Sequence, residues 1–129
     1  TLFWLTCPTI VKQIDRIEAS GYIAELEEEL QNRNEIRESY LEAERKYIKE
    51  RRSLLSKEEE IFLSEKGIAG ELEKGVGGID DRKHLKCLHL HYAHFLARDN
   101  VIGKMISERH DLKYCSPDNV KCEKINTAL

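Results

Sequence analysis

Apolar residues recur along this chain at helical intervals, and the polar and glycine positions between them mark where each helix ends. Ile10, Val11, Ile14 and Ile17 follow Pro8 on one helical face. Proline suits the first helical position, and Gly21 suits the stop. Ile23, Leu26 and Leu30 predict a second helix with an acidic outer side, closed by Asn32 to Asn34. From Glu35 the pairs Tyr40-Leu41, Tyr47-Ile48, Leu54-Leu55 and Ile61-Phe62 return every seven residues, which keeps one narrow stripe toward a partner helix. Ser56 followed by Glu59 is a capping-box pattern, so a break near Ser56 and a separate short helix through Lys66 are expected. Ahead of these, the large apolar run Leu2-Phe3-Trp4-Leu5 is expected to form a short buried strand or an extended lead-in.

Five of the seven glycines fall between Gly67 and Gly78, which makes that stretch the main flexible connection. Beyond it a helix is expected from about Asp81 to Ala97, closed by Arg98-Asp99-Asn100, and another from Val101 to His110. The tail from Asp111 is expected to be irregular. The fold class is therefore mainly α: a compact helical domain with a short N-terminal extended segment, a long helix pair, a Gly-rich connector and a buried Cys/His helix. At 129 residues the chain, 1–129, is expected to be one domain, with a core large enough to need neither disulfide nor metal for its existence.

Charge narrows the partners. Charged residues make up 35% of the chain, which fits long solvated helices, and the net charge of -3 argues against a polyanion partner. The densest basic group, Arg45, Lys46, Lys49, Arg51 and Arg52, is interleaved with acids, so no nucleic-acid binding is expected. No run approaches the roughly 20 apolar residues that span a bilayer, so no membrane partner is expected and a cytoplasmic location is. Thr1 stands where an initiator methionine would, so natural residues upstream are expected.

The chemistry is concentrated between His84 and His94. If this stretch is helical, His84, Cys87, His91 and His94 share one face, while His89 points the other way. His84 and His94 are then roughly 15 Å apart along the axis, too far to share an ion. Cys87 and His91, at i and i+4, are the workable pair. Zinc or an iron–sulfur cluster would need further donors, and the available sulfurs are Cys7, Cys115 and Cys122. The candidate metal ligands are thus Cys7, Cys87, His91 and Cys122, with His84, His94 and Cys115 behind them. Without secretory context the four cysteines read better as thiols or ligands than as disulfides.

Other readings stand beside this one. Leu85, Leu88, Leu90, Phe95 and Leu96 would equally let Cys87 be a packed thiol and the histidines be satisfied by hydrogen bonds inside the core. Cys7, at a helix N-terminus, lies near unpaired N–H groups that favour a thiolate; next to a buried Trp4 and Leu5 it would simply be core. A thiol enzyme would use Cys7 or Cys87 as nucleophile and His91 as base. The run Gly75-Val76-Gly77-Gly78 could bring backbone N–H groups to an anion, but no Lys-Ser or Lys-Thr follows it, so a connector is the better reading. An interaction module would present the 35–66 helices to a second copy or a protein partner.

Several of these segments together resemble the bacterial domain-of-unknown-function family 501. The matching residues are Thr1-Leu2-Phe3-Trp4-Leu5-Thr6-Cys7-Pro8, Arg16-Ile17-Glu18, Gly75-Val76-Gly77-Gly78-Ile79 and, most specific, Lys86-Cys87-Leu88-His89-Leu90-His91-Tyr92-Ala93-His94, followed by a cysteine-bearing tail. The resemblance implies no assigned activity. It also implies further residues, with at least one more cysteine, ahead of the Thr1 segment. An Asn-Pro-x-Gly turn is implied where this chain has Asn100-Val101-Ile102-Gly103, a change expected to affect only the turn.

Overall fold

Proline and glycine set the limits of the first helix as their backbone chemistry demands. In the computed structural model, which describes residues 1–127 and side chains as far as Lys124, α1 runs Pro8–Ala19. Gly21, at φ 87°, makes the left-handed step into α2, Tyr22–Asn32. Helix α3 is Asn34–Ser53 and α4 is Lys57–Glu65. The break between them is the expected capping box, with Ser56 Oγ accepting from the Glu59 N–H and the Glu59 carboxylate accepting from the Ser56 N–H.

The glycine-rich stretch holds a 3-10 turn, Ala69–Glu73, before α5, Leu88–Ala97, and α6, Val101–Arg109. The tail is not wholly irregular as expected, because a further helix, α7, spans Lys121–Thr127. No strand occurs among the described residues, and the N-terminal segment is an extended lead-in.

The helix expected from Asp81 begins seven residues later, at Leu88. Carboxylates from elsewhere compete for the backbone that such a helix would use. Glu27 accepts from the Leu85 N–H at 2.7 Å, Glu18 accepts from the Leu88 N–H at 2.7 Å, and Asp81 accepts from the Lys83 N–H at 2.7 Å. A helix here would pull those donors away, and Leu85 and Leu88 already reach the core in the extended path. The Glu18 carboxylate also lies at the positive end of α5, where a negative charge is stabilising.

Ile10, Ile14 and Ile17 of α1 pack with Leu26 and Leu30 of α2, Tyr40 of α3, Leu88 and Tyr92 of α5, and Ile102 and Ile106 of α6. Each such side chain contributes roughly 1.5–3 kcal/mol by leaving water. The seven-residue stripe is thus divided. Tyr40 and Tyr47 are consumed by this chain's own core, while Leu54, Ile61 and Phe62 are exposed.

Helices α5 and α6 approach so closely that a Cβ on Gly103 would lie 2.2 Å from Phe95 Cβ and 2.7 Å from the His91 carbonyl oxygen. The lead-in is laid over this pair. Phe3 stacks on His94 with ring centroids 5.9 Å apart, and the Leu2 N–H donates to Tyr47 Oη at 3.1 Å. Trp4, expected inside, is 71% exposed, so it does not bury Cys7. No helix of the described residues is long and apolar enough to cross a membrane.

Candidate functional site

Val11, Asp15 and Glu18 follow one another at i, i+4 and i+7 on a single stripe of α1, and the start of α5 is drawn onto that stripe by the Leu88 N–H bond to Glu18. Cys87 is the residue before the helix, in extended backbone at φ -120° and ψ 110°. His89, in the first turn of α5, faces both the Cys87 side chain and the α1 stripe. His89 Nδ1 is 3.6 Å from Cys87 Sγ and 3.3 Å from Glu18 Oε1. Its other nitrogen, Nε2, is 2.8 Å from Asp15 Oδ1 and 3.3 Å from the Val11 carbonyl oxygen.

One donor atom each from Glu18, Cys87 and His89 lies within 4.8 Å of the other two, and among the described residues this is the grouping of three or more such donors that forms. All three residues are half-buried. Zinc bond lengths in a tetrahedron place sulfur and nitrogen about 3.6 Å apart and nitrogen and oxygen about 3.4 Å apart. The observed pair of separations falls on those values.

The family model described as Protein of unknown function (DUF501) matches residues 1–108. The chain belongs to that family. No curated protein and no solved structure matches it. In this DUF501 chain Glu18 lies in the Arg16-Ile17-Glu18 segment, and Cys87 and His89 lie in the Lys86 to His94 segment, two of the stretches on which the resemblance rests.

The remaining sequence candidates are dispersed. Cys7 precedes α1, its carbonyl accepting from the Val11 N–H at 2.9 Å, and Cys122 lies on α7; both are half-buried and neither joins the cluster. Cys115 Sγ lies 3.4 Å from Thr9 Oγ1, and that hydroxyl, with the Lys121 backbone, holds the thiol below its usual pKa. His84 is exposed and pairs with Asp81, Nδ1 to Oδ2 at 2.8 Å.

His91 and His94 belong to the interior. The Asn100 side-chain amide nitrogen is 3.1 Å from Nδ1 of each, and its oxygen accepts from the Gly103 N–H at 3.0 Å. One asparagine therefore donates to Nδ1 of two histidines and starts α6, while His91 Nε2 is buried without a hydrogen-bond partner. Burial pushes the His91 imidazole down to about 3 and lowers His94 as well, so both rings are neutral near neutral pH. Cys87 and His91 do not share a helical face, because Cys87 lies outside the helix and His91 is directed inward to Asn100.

His89, set aside because a longer helix would turn it away, is the residue that faces Cys87. The signal for it is the Cys-x-His spacing, which brings the two side chains together when the helix starts at Leu88 and leaves Cys87 in extended backbone just before it. That extension depends on Glu18 and Glu27, whose positions beside this segment no local pattern announces.

The glycine-rich loop does meet an anion, but an internal one. The Val76 N–H donates to both oxygens of the buried Glu44 carboxylate at 3.1 and 3.3 Å, and Arg82 Nε lies 3.7 Å away. A Cβ on Gly75 would fall 1.4 Å from Glu44 Oε2, so only glycine lets the loop close over the carboxylate. What the spacing suggested as a flexible connector is a cradle with Gly77 and Gly78 in the left-handed region.

Proposed function

We propose that this protein binds a divalent transition metal, zinc by donor chemistry, through Glu18 Oε1, Cys87 Sγ and His89 Nδ1. The observation that carries this reading is the pair of separations at His89 Nδ1, 3.6 Å to sulfur and 3.3 Å to carboxylate oxygen, which match two edges of a zinc tetrahedron. Mixed sulfur, imidazole and carboxylate donors suit zinc. A single sulfur favours a mononuclear ion over an iron–sulfur cluster, which takes mainly cysteine thiolates.

The surroundings also fit. Asp15 receives the imidazole nitrogen that faces away from the ion, the outer-sphere carboxylate that fixes a ligating histidine's tautomer and orientation. The ligating Glu18 oxygen is itself held by the Leu88 N–H. Three protein donors leave a fourth position for water or a small ligand, the donor count of zinc sites that react or exchange ligands.

Elemental analysis after zinc reconstitution and dialysis is expected to give about one ion per chain, with cobalt substitution producing a sulfur-to-cobalt charge-transfer band. Loss of both signals in Cys87→Ser and His89→Gln, with helical circular dichroism retained, supports the site. A wild-type protein that retains no zinc and gives no cobalt band overturns it.

A second reading uses the same atoms. Cys87 Sγ, the His89 ring and Asp15 Oδ1 follow in the order of nucleophile, base and orienting carboxylate. Alkylation of Cys87 by iodoacetamide separates the two: protection by zinc follows from the metal reading, whereas rapid alkylation indifferent to zinc and slowed by Asp15→Asn follows from the thiol reading.

A further inference from the structure

The C-terminal tail returns to α1 and is fastened there by two side chains. Gln13 Nε2 donates to the Lys113 carbonyl at 2.8 Å, and Gln13 Oε1 accepts from the Lys113 N–H at 2.7 Å, so one side chain holds both polar groups of one peptide residue. Thr9, about one turn from Gln13 on α1, meets Cys115. These bonds keep the tail at a fixed distance from α1. Between the two walls runs a groove of ≈ 490 Å³, within the size range of small-molecule sites.

The lining of this groove runs against the charge of the molecule. Lys12 and Arg16 contribute from α1, Lys113 and Lys121 from the tail, and no carboxylate lines it. The whole chain carries a net charge of -3. Several cations of the molecule are paired with a carboxylate, Lys113 with Asp111 among them. Lys12, Arg16 and Lys121 have no carboxylate partner among the described residues. Cations gathered in a trough repel one another unless an anion lies between them, and a groove with low-dielectric walls concentrates the resulting field. Pro8, Lys12 and Arg16 stand at i, i+4 and i+8, so the α1 charges form one row along the groove. Arg16 adds a planar fork suited to two phosphate oxygens at once.

We propose that the groove between α1 and the C-terminal tail binds a small soluble phosphate compound, a phosphate ester or diphosphate, through Lys12, Arg16, Lys113 and Lys121. The occupant is small because the trough is bounded on one side by α1 and on the other by the tail, with a volume of ≈ 490 Å³. A nucleic acid would have to extend past it over a chain whose acids outnumber its bases, 24 to 21. The α1 wall lies inside the stretch matched by the family, and the tail wall lies beyond residue 108. The site is separate from the Glu18, Cys87 and His89 cluster, which uses another stripe of α1, and it stands or falls without metal.

Calorimetric titration of the full chain with inorganic phosphate and with pyrophosphate, at low ionic strength, tests the idea. Pyrophosphate is expected to bind at one site and more tightly than phosphate. Its affinity is expected to fall about tenfold or more in Lys12→Ala/Arg16→Ala and to be unchanged in Lys104→Ala, a cation on another element. Amide shifts on titration are expected to centre on residues 12, 16, 113 and 121. Both variants alter exposed side chains, and retained helical circular dichroism separates lost binding from lost fold. No binding up to concentrations on the order of 10 mM, or binding indifferent to the double substitution, overturns the proposal. So does association with phosphatidylserine vesicles or a single-stranded oligonucleotide without any binding of pyrophosphate.

Discussion

Glu44 and His91 are two titratable groups buried in one core, and they pull stability in opposite directions with pH. Burial raises the Glu44 carboxyl to about 7 from an ordinary 4.5, against the opposing pull of Arg82 and the Val76 N–H. Between those values the folded protein holds a proton that the unfolded chain has released. The Glu44 contribution is therefore complete at low pH and is lost as pH rises through about 7, a change on the order of 3 kcal/mol. His91 behaves in reverse. Its folded value of about 3 lies below 6.5, so the unfolded chain takes up protons first and stability falls on acidification below about 6.5. In the wild type the two slopes oppose each other between about pH 4.5 and 6.5. Glu44→Gln removes one of them. Urea denaturation at about pH 5 and about pH 8 is expected to show the variant gaining on wild type as pH rises, by a few kcal/mol. A difference that stays constant with pH would mean that Glu44 keeps an ordinary carboxyl in the fold. Neither slope is readable from sequence, because Glu44 looks like one acid among many on a charged helix until Gly75 and Arg82 close over it.

At the scale of elements, the α5 to α6 corner turns on Asn100. Its side chain caps α6 and bonds both buried histidines, while Gly103 lets the helices touch. Asn100→Ala removes a helix cap and leaves two buried ring nitrogens without a donor, and is expected to cost about 2–4 kcal/mol in chemical denaturation. Val101 tests the same corner from the other side. It is the first residue of α6, where an N–H has no helical acceptor, and Asn100 before it is extended at φ -149° and ψ 112°. Both positions accept proline. Val101→Pro, which recreates the Asn-Pro-x-Gly order that the resemblance implies, is expected to be neutral or to stabilise by up to about 1 kcal/mol. A loss above about 2 kcal/mol would show that the Val101 side chain or N–H has a role this corner does not reveal. The first four helix limits were legible because Pro8, Gly21, Asn32 to Asn34 and Ser56 with Glu59 act on their own neighbours. The start of α5 was not, because Glu18 and Glu27 act on it from 70 and 58 residues away.

At the scale of the whole molecule, the Glu18, Cys87 and His89 cluster joins the first helix to the start of the fifth. Cys87 was legible as a candidate ligand from its company of histidines; its partners were not, since the choice of His89 over His91 follows from where α5 begins. An ion bound there would be held by two segments that separate on unfolding, so its binding energy adds to folding stability. At free zinc about 100-fold above its dissociation constant the gain is about 2.7 kcal/mol, or roughly 10 °C in melting temperature for a chain of this size. Cys87→Ser and His89→Gln are expected to lose the increment while melting near the metal-free wild type. Asp15→Asn gives the sharper result, since Asp15 touches only the outer nitrogen of His89 and the carboxylate itself is exposed. It is expected to weaken zinc binding about 10- to 100-fold through the ring's tautomer and orientation and to leave the metal-free melting point unchanged. If zinc raises the melting point of wild type and His89→Gln alike, the ion is binding elsewhere. If Asp15→Asn binds zinc as tightly as wild type, His89 ligates through a geometry other than Nδ1 inward and Nε2 to Asp15.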